Sequence, residues 1–125
     1  MESLEQPGCM DDEHGETIRR ALAIIGGKWK VLILWFLATH RVLRFGELRR
    51  KLSGISQHSL TSQLRELEES GLVQRVAYPE VPLRVEYSLT PEGLDLGEVY
   101  RAVFNWSCRN KSLLDKAAAE DVARF

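Results

Sequence analysis

The sequence predicts a mainly α fold that carries one small β-hairpin. Three observations predict it. Two short amphipathic segments, "FGELRRKL" and "QHSLTSQLRELEES", flank a Ser53-Gly54 break. Two β-type runs, Leu72–Ala77 and Arg84–Leu89, enclose the proline-bounded tip "YPEVP". Longer segments with apolar faces precede and follow this unit. The resulting order is helix, helix, short strand, helix, helix, hairpin, helix. Two short helices joined by a glycine-containing turn and followed by a hairpin make a winged helix-turn-helix.

The elements follow one by one. Residues 1–14 are polar, acidic and interrupted by Pro7-Gly8, and are expected to form a flexible arm. The folded domain is expected over 15–112 and a weakly amphipathic tail over 113–125. A first helix is expected from near Glu16, with Ile18, Leu22 and Ile25 as its apolar stripe. Gly26-Gly27 stops it. The second, from about Lys28 to Thr39, contains "VLILWFLA" and is apolar nearly all round, which predicts a central buried helix. Trp29, Leu32, Ile33 and Phe36 are expected on one face, and Trp29 and Trp35 in the core. Val42–Arg44 reads as a short strand. In the third helix Phe45, Leu48 and Leu52 point inward, and Arg49, Arg50 and Lys51 outward. Ser56 is suited to cap the fourth helix, because its hydroxyl accepts from a free first-turn amide. Leu60, Leu64 and Leu67 form that helix's core face and Gly71 ends it. Val85, Tyr87 and Leu89 alternate with Glu86 and Ser88, the period-two mark of a half-buried strand. Thr90-Pro91 opens a last long helix, expected to run to about Lys111, because a hydroxyl cap precedes proline at the first helical position.

Composition narrows the function classes. The chain has 125 residues, enough for one small domain, and its 44% hydrophobic and 28% charged residues are those of an ordinary soluble protein. The acidic N-terminus has no apolar stretch and reads as no signal peptide. The longest apolar run, Val31–Ala38, is far shorter than the ~20 residues of a membrane helix. A cytoplasmic protein without a membrane partner is expected. Cys9 and Cys108 are too few for a disulfide framework and lack metal-ligand spacing. They are expected to be reduced thiols, and no metal or cofactor is expected. Catalysis is not expected either. No nucleophile motif, phosphate loop or carboxylate pair is visible, and His14, His40 and His58 lack a triad-like context.

Net charge is −1, but its distribution is uneven. Residues 1–16 hold six acids and neither Lys nor Arg. Residues 28–65 hold eight bases against Glu47 alone, a net of +7. A basic middle can present a positive face to a polyanion. The fourth helix agrees with that partner. Its early outer positions are Gln57, His58, Ser59, Thr61, Ser62 and Arg65, while the acids wait until Glu66, Glu68 and Glu69. The second helix of such a pair presents its N-terminal residues to base edges in the major groove. Gln suits adenine, Ser and Thr suit any base or phosphate, and Arg takes guanine in a bidentate fork. A merely solvated polar face is the rival reading. Arg49, Arg50 and Lys51 beside this helix are expected to anchor phosphates, with Arg44 near them. Arg75 and Arg84 on the wing strands read either as phosphate contacts or as partners of Glu80 and Glu86, with phosphate contact preferred. Lys28 and Lys30 read equally as phosphate anchors or as solvated charge.

Taken together, "IIGGKWKVLILWFL", "RFGELRRKLSGISQHSLTSQLRELEESGLVQR" and "YPEVPLRVEYSLTPEG" resemble the HxlR family of bacterial transcriptional regulators, relatives of the MarR group. The resemblance spans roughly residues 9–110, and the combination is far more specific than any one piece. It implies a homodimeric winged helix on a pseudo-palindromic double-stranded DNA operator, dimerised through its N- and C-terminal helices; repressor type is the preferred reading, with operator position deciding between repressor and activator. Ile18, Leu22 and Ile25 on one and Leu96, Val99, Tyr100, Val103 and Trp106 on the other would then form the interface. Such extensive apolar surface is better buried in a pair.

The resemblance also places a cysteine just before the first helix, at Cys9, which in some members senses oxidants or electrophiles. Here "CMDDEHGE" lacks the proline often found after it, and Asp11, Asp12 and Glu13 disfavour the thiolate. Cys9 and Cys108 pairing across the dimer is one reading; two unrelated thiols is the preferred one. Two alternatives stay open: a winged helix that binds protein instead of DNA, and a regulator governed by a small ligand at the dimer helices.

Overall fold

This computed structural model describes residues 12–124 of the chain. Its elements run α1 (Asp12–Ile25), α2 (Lys28–His40), β1 (Val42–Arg44), α3 (Phe45–Lys51), α4 (Gln57–Glu69), β2 (Val73–Tyr78), β3 (Arg84–Leu89), α5 (Pro91–Asp95), α6 (Gly97–Arg109) and α7 (Lys111–Arg124). The three strands make one antiparallel sheet in the order β1-β3-β2. A mainly helical chain with a hairpin wing is therefore the fold.

The core lies between α2, α3, α4 and the sheet. Leucines at helical spacing drive it. Ile33, Leu34 and Leu37 of α2 meet Leu48 of α3 and Leu60, Leu64 and Leu67 of α4, all at or below 2% exposure. Leu43, Leu52, Ile55, Leu72, Val73 and Tyr87 close the cluster. Each fully buried side chain of this size contributes roughly 1.5–3 kcal/mol of burial.

Two glycines set the path of the chain. Gly54 holds φ +93° in the turn between α3 and α4, a left-handed conformation that side-chain-bearing residues adopt only at a cost. At Gly93 a Cβ would run into the Leu72 carbonyl oxygen, so only glycine lets α5 pack there. Thr90 fixes the same junction: its Oγ1 donates to the Gly71 carbonyl at 2.6 Å and accepts from Gly93 N–H at 3.1 Å.

Several boundaries and placements differ from the sequence expectation. α1 begins at Asp12 rather than near Glu16, so residues 12–14 are helical; the rest of the expected arm lies outside the described residues. The expected last helix is broken. α5 ends at Asp95, Leu96 links it to α6, and α6 stops at Asn110 before α7 carries the tail. In α2 only one face is buried. Leu32 lies at the surface and Trp35 is 50% exposed, so Trp35 is not a core residue of the single chain. Among the described residues, neither α1 nor α6 fully buries any residue. Ile18, Leu22, Val99, Val103 and Trp106 are indeed exposed, joined by Phe104 at 65%. Ile25, Leu96 and Tyr100, expected in the same interface, pack partly buried against the chain's own core.

Candidate nucleic-acid interface

The fourth helix is built from its cap. Ser56 Oγ accepts from Ser59 N–H at 3.0 Å, and the Ser56 carbonyl accepts from Leu60 N–H at 3.0 Å. This satisfies amides that the helix start leaves free. Leu60, Leu64 and Leu67 then lock one face into the core. The 3.6-residue period sends the others outward. Gln57, His58, Thr61 and Arg65 are exposed, and Ser59 and Ser62 are half-buried beside them. The six side chains expected to read DNA therefore lie along the solvent side of one helix.

α3 supplies the flank. The Glu47 carboxylate accepts from Arg44 N–H at 2.8 Å and closes its first turn. Arg49, Arg50 and Lys51 are exposed on its last turn. Arg49 Nε reaches the Ile55 carbonyl at 3.4 Å, which holds its stem along the turn into α4. Arg50 and Arg49 line the hollow over Gly54, Ile55 and Ser56. Lys51 stands 5.9 Å from the Phe36 ring.

On the other side, a groove of about 450 Å³ separates α4 from the wing. Gln57, Thr61, Arg65, Glu68 and Arg75 line it, over a floor of Phe45, Leu64 and Tyr87. Four residues expected from sequence thus share one concavity. Glu68 was not expected there; its spacing of three from Arg65 was the readable signal. Arg84 is not brought in. Its guanidinium pairs with Glu80 at 2.9 Å and Glu86 at 3.6 Å and lies 4.1 Å from the Tyr78 ring centre. Of the two readings of Arg84, the ion pair with Glu80 and Glu86 is the contact the structure shows. Arg44 is exposed at the end of β1, in register with Glu86. One tie was missed altogether. Lys30 of α2 pairs with Glu66 of α4 at 2.5 Å, with the lysine side chain only 15% exposed. Residues 36 apart in sequence gave no local signal for it.

Cys108 is a free, exposed thiol on α6, and Cys9 lies outside the described residues. No single helix among the described residues is long and apolar enough to cross a membrane.

Residues 24–114 match the family described as HxlR-like helix-turn-helix. The chain belongs to the HxlR family. It is 44% identical over 112 residues to the HTH-type transcriptional regulator BH0655 of Halalkalibacterium halodurans, covering 90% of this chain and 99% of that one. It is 42% identical over 109 residues to the HTH-type transcriptional regulator YdeP of Bacillus subtilis, covering 87% and 84%. Among solved structures it resembles the redox regulator HypR in its reduced form, with TM-score 0.74 and 39% identity over 80% of this chain and 98% of that one. It also resembles the reduced form of the transcriptional regulator YodB from B. subtilis, with TM-score 0.67 and 32% identity over 78% and 91%. Like its HxlR relatives, the protein is a transcriptional regulator and not an enzyme.

Proposed function

We propose that this HxlR regulator binds a pseudo-palindromic operator as a homodimer. The observation that carries the reading is the exposed row Gln57, His58, Thr61 and Arg65 on a capped, core-anchored helix, flanked by Arg49, Arg50 and Lys51 and faced by Arg75. Gln57, Ser59, Thr61, Ser62 and Arg65 read base edges, since those groups match the donors and acceptors of the major groove. Arg44, Arg49, Arg50, Lys51 and Arg75 hold phosphates and fix register. Their charge makes binding strongly salt-dependent.

The terminal helices support the pairing. Leu22 of α1 is 56% exposed and Val103 of α6 equally so, with Val99, Phe104 and Trp106 continuing the strip. An isolated helix of 14 residues is marginal in water, so α1 needs a surface to pack on. A second copy supplies it and sets two recognition helices about one helical turn of DNA apart.

The test joins sedimentation with binding to the upstream intergenic DNA of the protein's own gene. A dimer that binds this DNA specifically, and more weakly as salt rises, is expected. A monomer, or a dimer indifferent to this and to genomic fragments, would instead favour a protein-binding winged helix.

A further inference from the structure

The wing carries two arginines, and the strand register sends them to opposite faces. Arg75 stands opposite Tyr87, and Arg84 stands opposite Tyr78. Side chains alternate across a strand. Arg75 therefore shares its face with the buried Tyr87 and opens into the groove beside α4. Arg84 shares the other face with Glu86, two residues on, and with its cross-strand neighbour Tyr78.

There Arg84 is held from three directions. Glu80 meets it at 2.9 Å from the tip, Glu86 at 3.6 Å along its own strand, and Tyr78 receives it over the ring at 4.1 Å. Its Nε is buried and has no hydrogen-bond partner among the described residues, so the guanidinium lies packed in the wing rather than extended into solvent. Two carboxylates already neutralise its charge. A phosphate would have to displace or approach them. Arg75, by contrast, is exposed and has no ion pair among the described residues. Residues 79–83 at the tip, "PEVPL", contain one acid and no base.

Resting on the DNA-binding reading above, we propose that Arg84 is a positioning residue rather than a phosphate contact. It clamps the tip to the strands through Glu80, Glu86 and Tyr78. The wing's phosphate contact is left to Arg75 on the opposite face. Arg84 thus acts on DNA only through the shape of the wing.

Salt dependence separates the two roles, because each phosphate neutralised adds about 0.9 to the slope of log affinity against log salt. The probe is a fluorescein-labelled duplex of mixed sequence, titrated with full-length protein over a range of salt. Arg75→Ala is expected to flatten the slope by about 0.9 for each wing that no longer neutralises a phosphate. Arg84→Ala is expected to weaken binding roughly two- to fivefold, the scale of partly exposed ion pairs, with the slope unchanged. A slope that flattens in Arg84→Ala as it does in Arg75→Ala overturns the proposal.

Melting of the free protein gives a second reading that needs no DNA. Arg84→Glu should lower the midpoint by a few degrees, roughly 2–4 °C, and adding Glu80→Arg should restore most of it. Failure of the swap to restore anything also overturns the clamp. If the wild type binds no duplex at any salt, the DNA-binding reading fails with the phosphate role of Arg75, and the melting swap alone decides the clamp.

Discussion

The two halves of this molecule solve the same problem differently. Between α2 and β3 the core leucines and Ile33 find each other. Ile33, Leu34, Leu37, Leu48, Leu60, Leu64 and Leu67 are almost wholly buried within a single chain. In α1 and α6 the apolar pattern is just as regular, yet among the described residues neither helix fully buries a side chain. An amphipathic stripe states that something must cover it; it does not state what. In the winged half the cover for the leucine core is the chain itself. In the terminal half the stripe of Ile18 and Leu22 and that of Val99 and Val103 stay exposed, and the proposed second copy is what would cover them.

The largest effects should divide along this line. Leu64→Ala empties a buried position of α4 and should cost about 2–5 kcal/mol of stability, the range for a leucine cavity. Chemical denaturation would measure it. Val103→Glu places a charge on a side chain that is more than half exposed in the single chain. It should leave the winged domain folded and instead abolish association, read by sedimentation. If Val103→Glu unfolds the domain as Leu64→Ala does, the two halves are not energetically separate and the comparison fails.

A second pair of variants sharpens the DNA side. Arg65 lines the groove beside α4, and Arg50 lies over the turn that precedes it. Arg65→Ala should relax discrimination at one base pair by about 1–3 kcal/mol, the worth of a bidentate contact. Arg50→Ala should weaken all sequences alike and flatten the salt slope by about 0.9 for each phosphate left without its arginine. Competition between operator variants at several salt concentrations distinguishes them. Uniform weakening by Arg65→Ala would remove it from the base-reading set.

What was legible in the sequence follows from range. Local patterns carried far. The Ser56 cap, the leucine face of α4, the Gly54 break and the Thr90-Pro91 start all rest on interactions within four residues, and all stand where expected. The period-two run from Val85 to Leu89 marked β3 correctly. Pairwise and long-range facts were not legible. Only Gly97 beside it gave a local hint that Leu96 would interrupt the last helix, and nothing local indicated that Lys30 would meet Glu66. Arg84 shows the limit most plainly. The alternation of β3 placed it on the face of Glu86, and both its phosphate and its ion-pair readings were open; which partners it holds, Glu80 and Glu86 with Tyr78 opposite, needed the register of two strands together. Trp35 fails for a related reason: hydrophobicity predicted burial, and the single chain supplies no cover for it.

Ser56→Ala tests the border between the halves at smaller scale. Without its hydroxyl, Ser59 N–H has no acceptor, which should cost about 1 kcal/mol. The frayed turn contains Gln57, His58 and Ser59, so DNA binding should weaken while association through α1 and α6 is unchanged. Hydrogen exchange at the start of α4, set beside sedimentation, checks both parts. Faster exchange with altered association would tie the cap to α1 and α6.

The smallest effect concerns Tyr100, which turns inward from α6 and so belongs to both halves. Its hydroxyl has no hydrogen-bond partner among the described residues, and burial pushes its pKa up to about 12 from an ordinary 10. The sign follows from desolvation, which disfavours the phenolate. The unfolded chain releases this proton near pH 10 and the folded chain only near pH 12. The group's contribution to stability is therefore fully present below about pH 10 and is lost as pH rises through about 12. Tyr100→Phe should abolish that alkaline fall. At neutral pH it should be neutral or slightly stabilising, because an unpaired buried hydroxyl is replaced by an apolar edge. Melting from neutral to alkaline pH reads both. Destabilisation at neutral pH, growing with protein concentration, would mean that the hydroxyl finds its partner across the proposed dimer, and that α6 depends on a second copy even where it faces its own core.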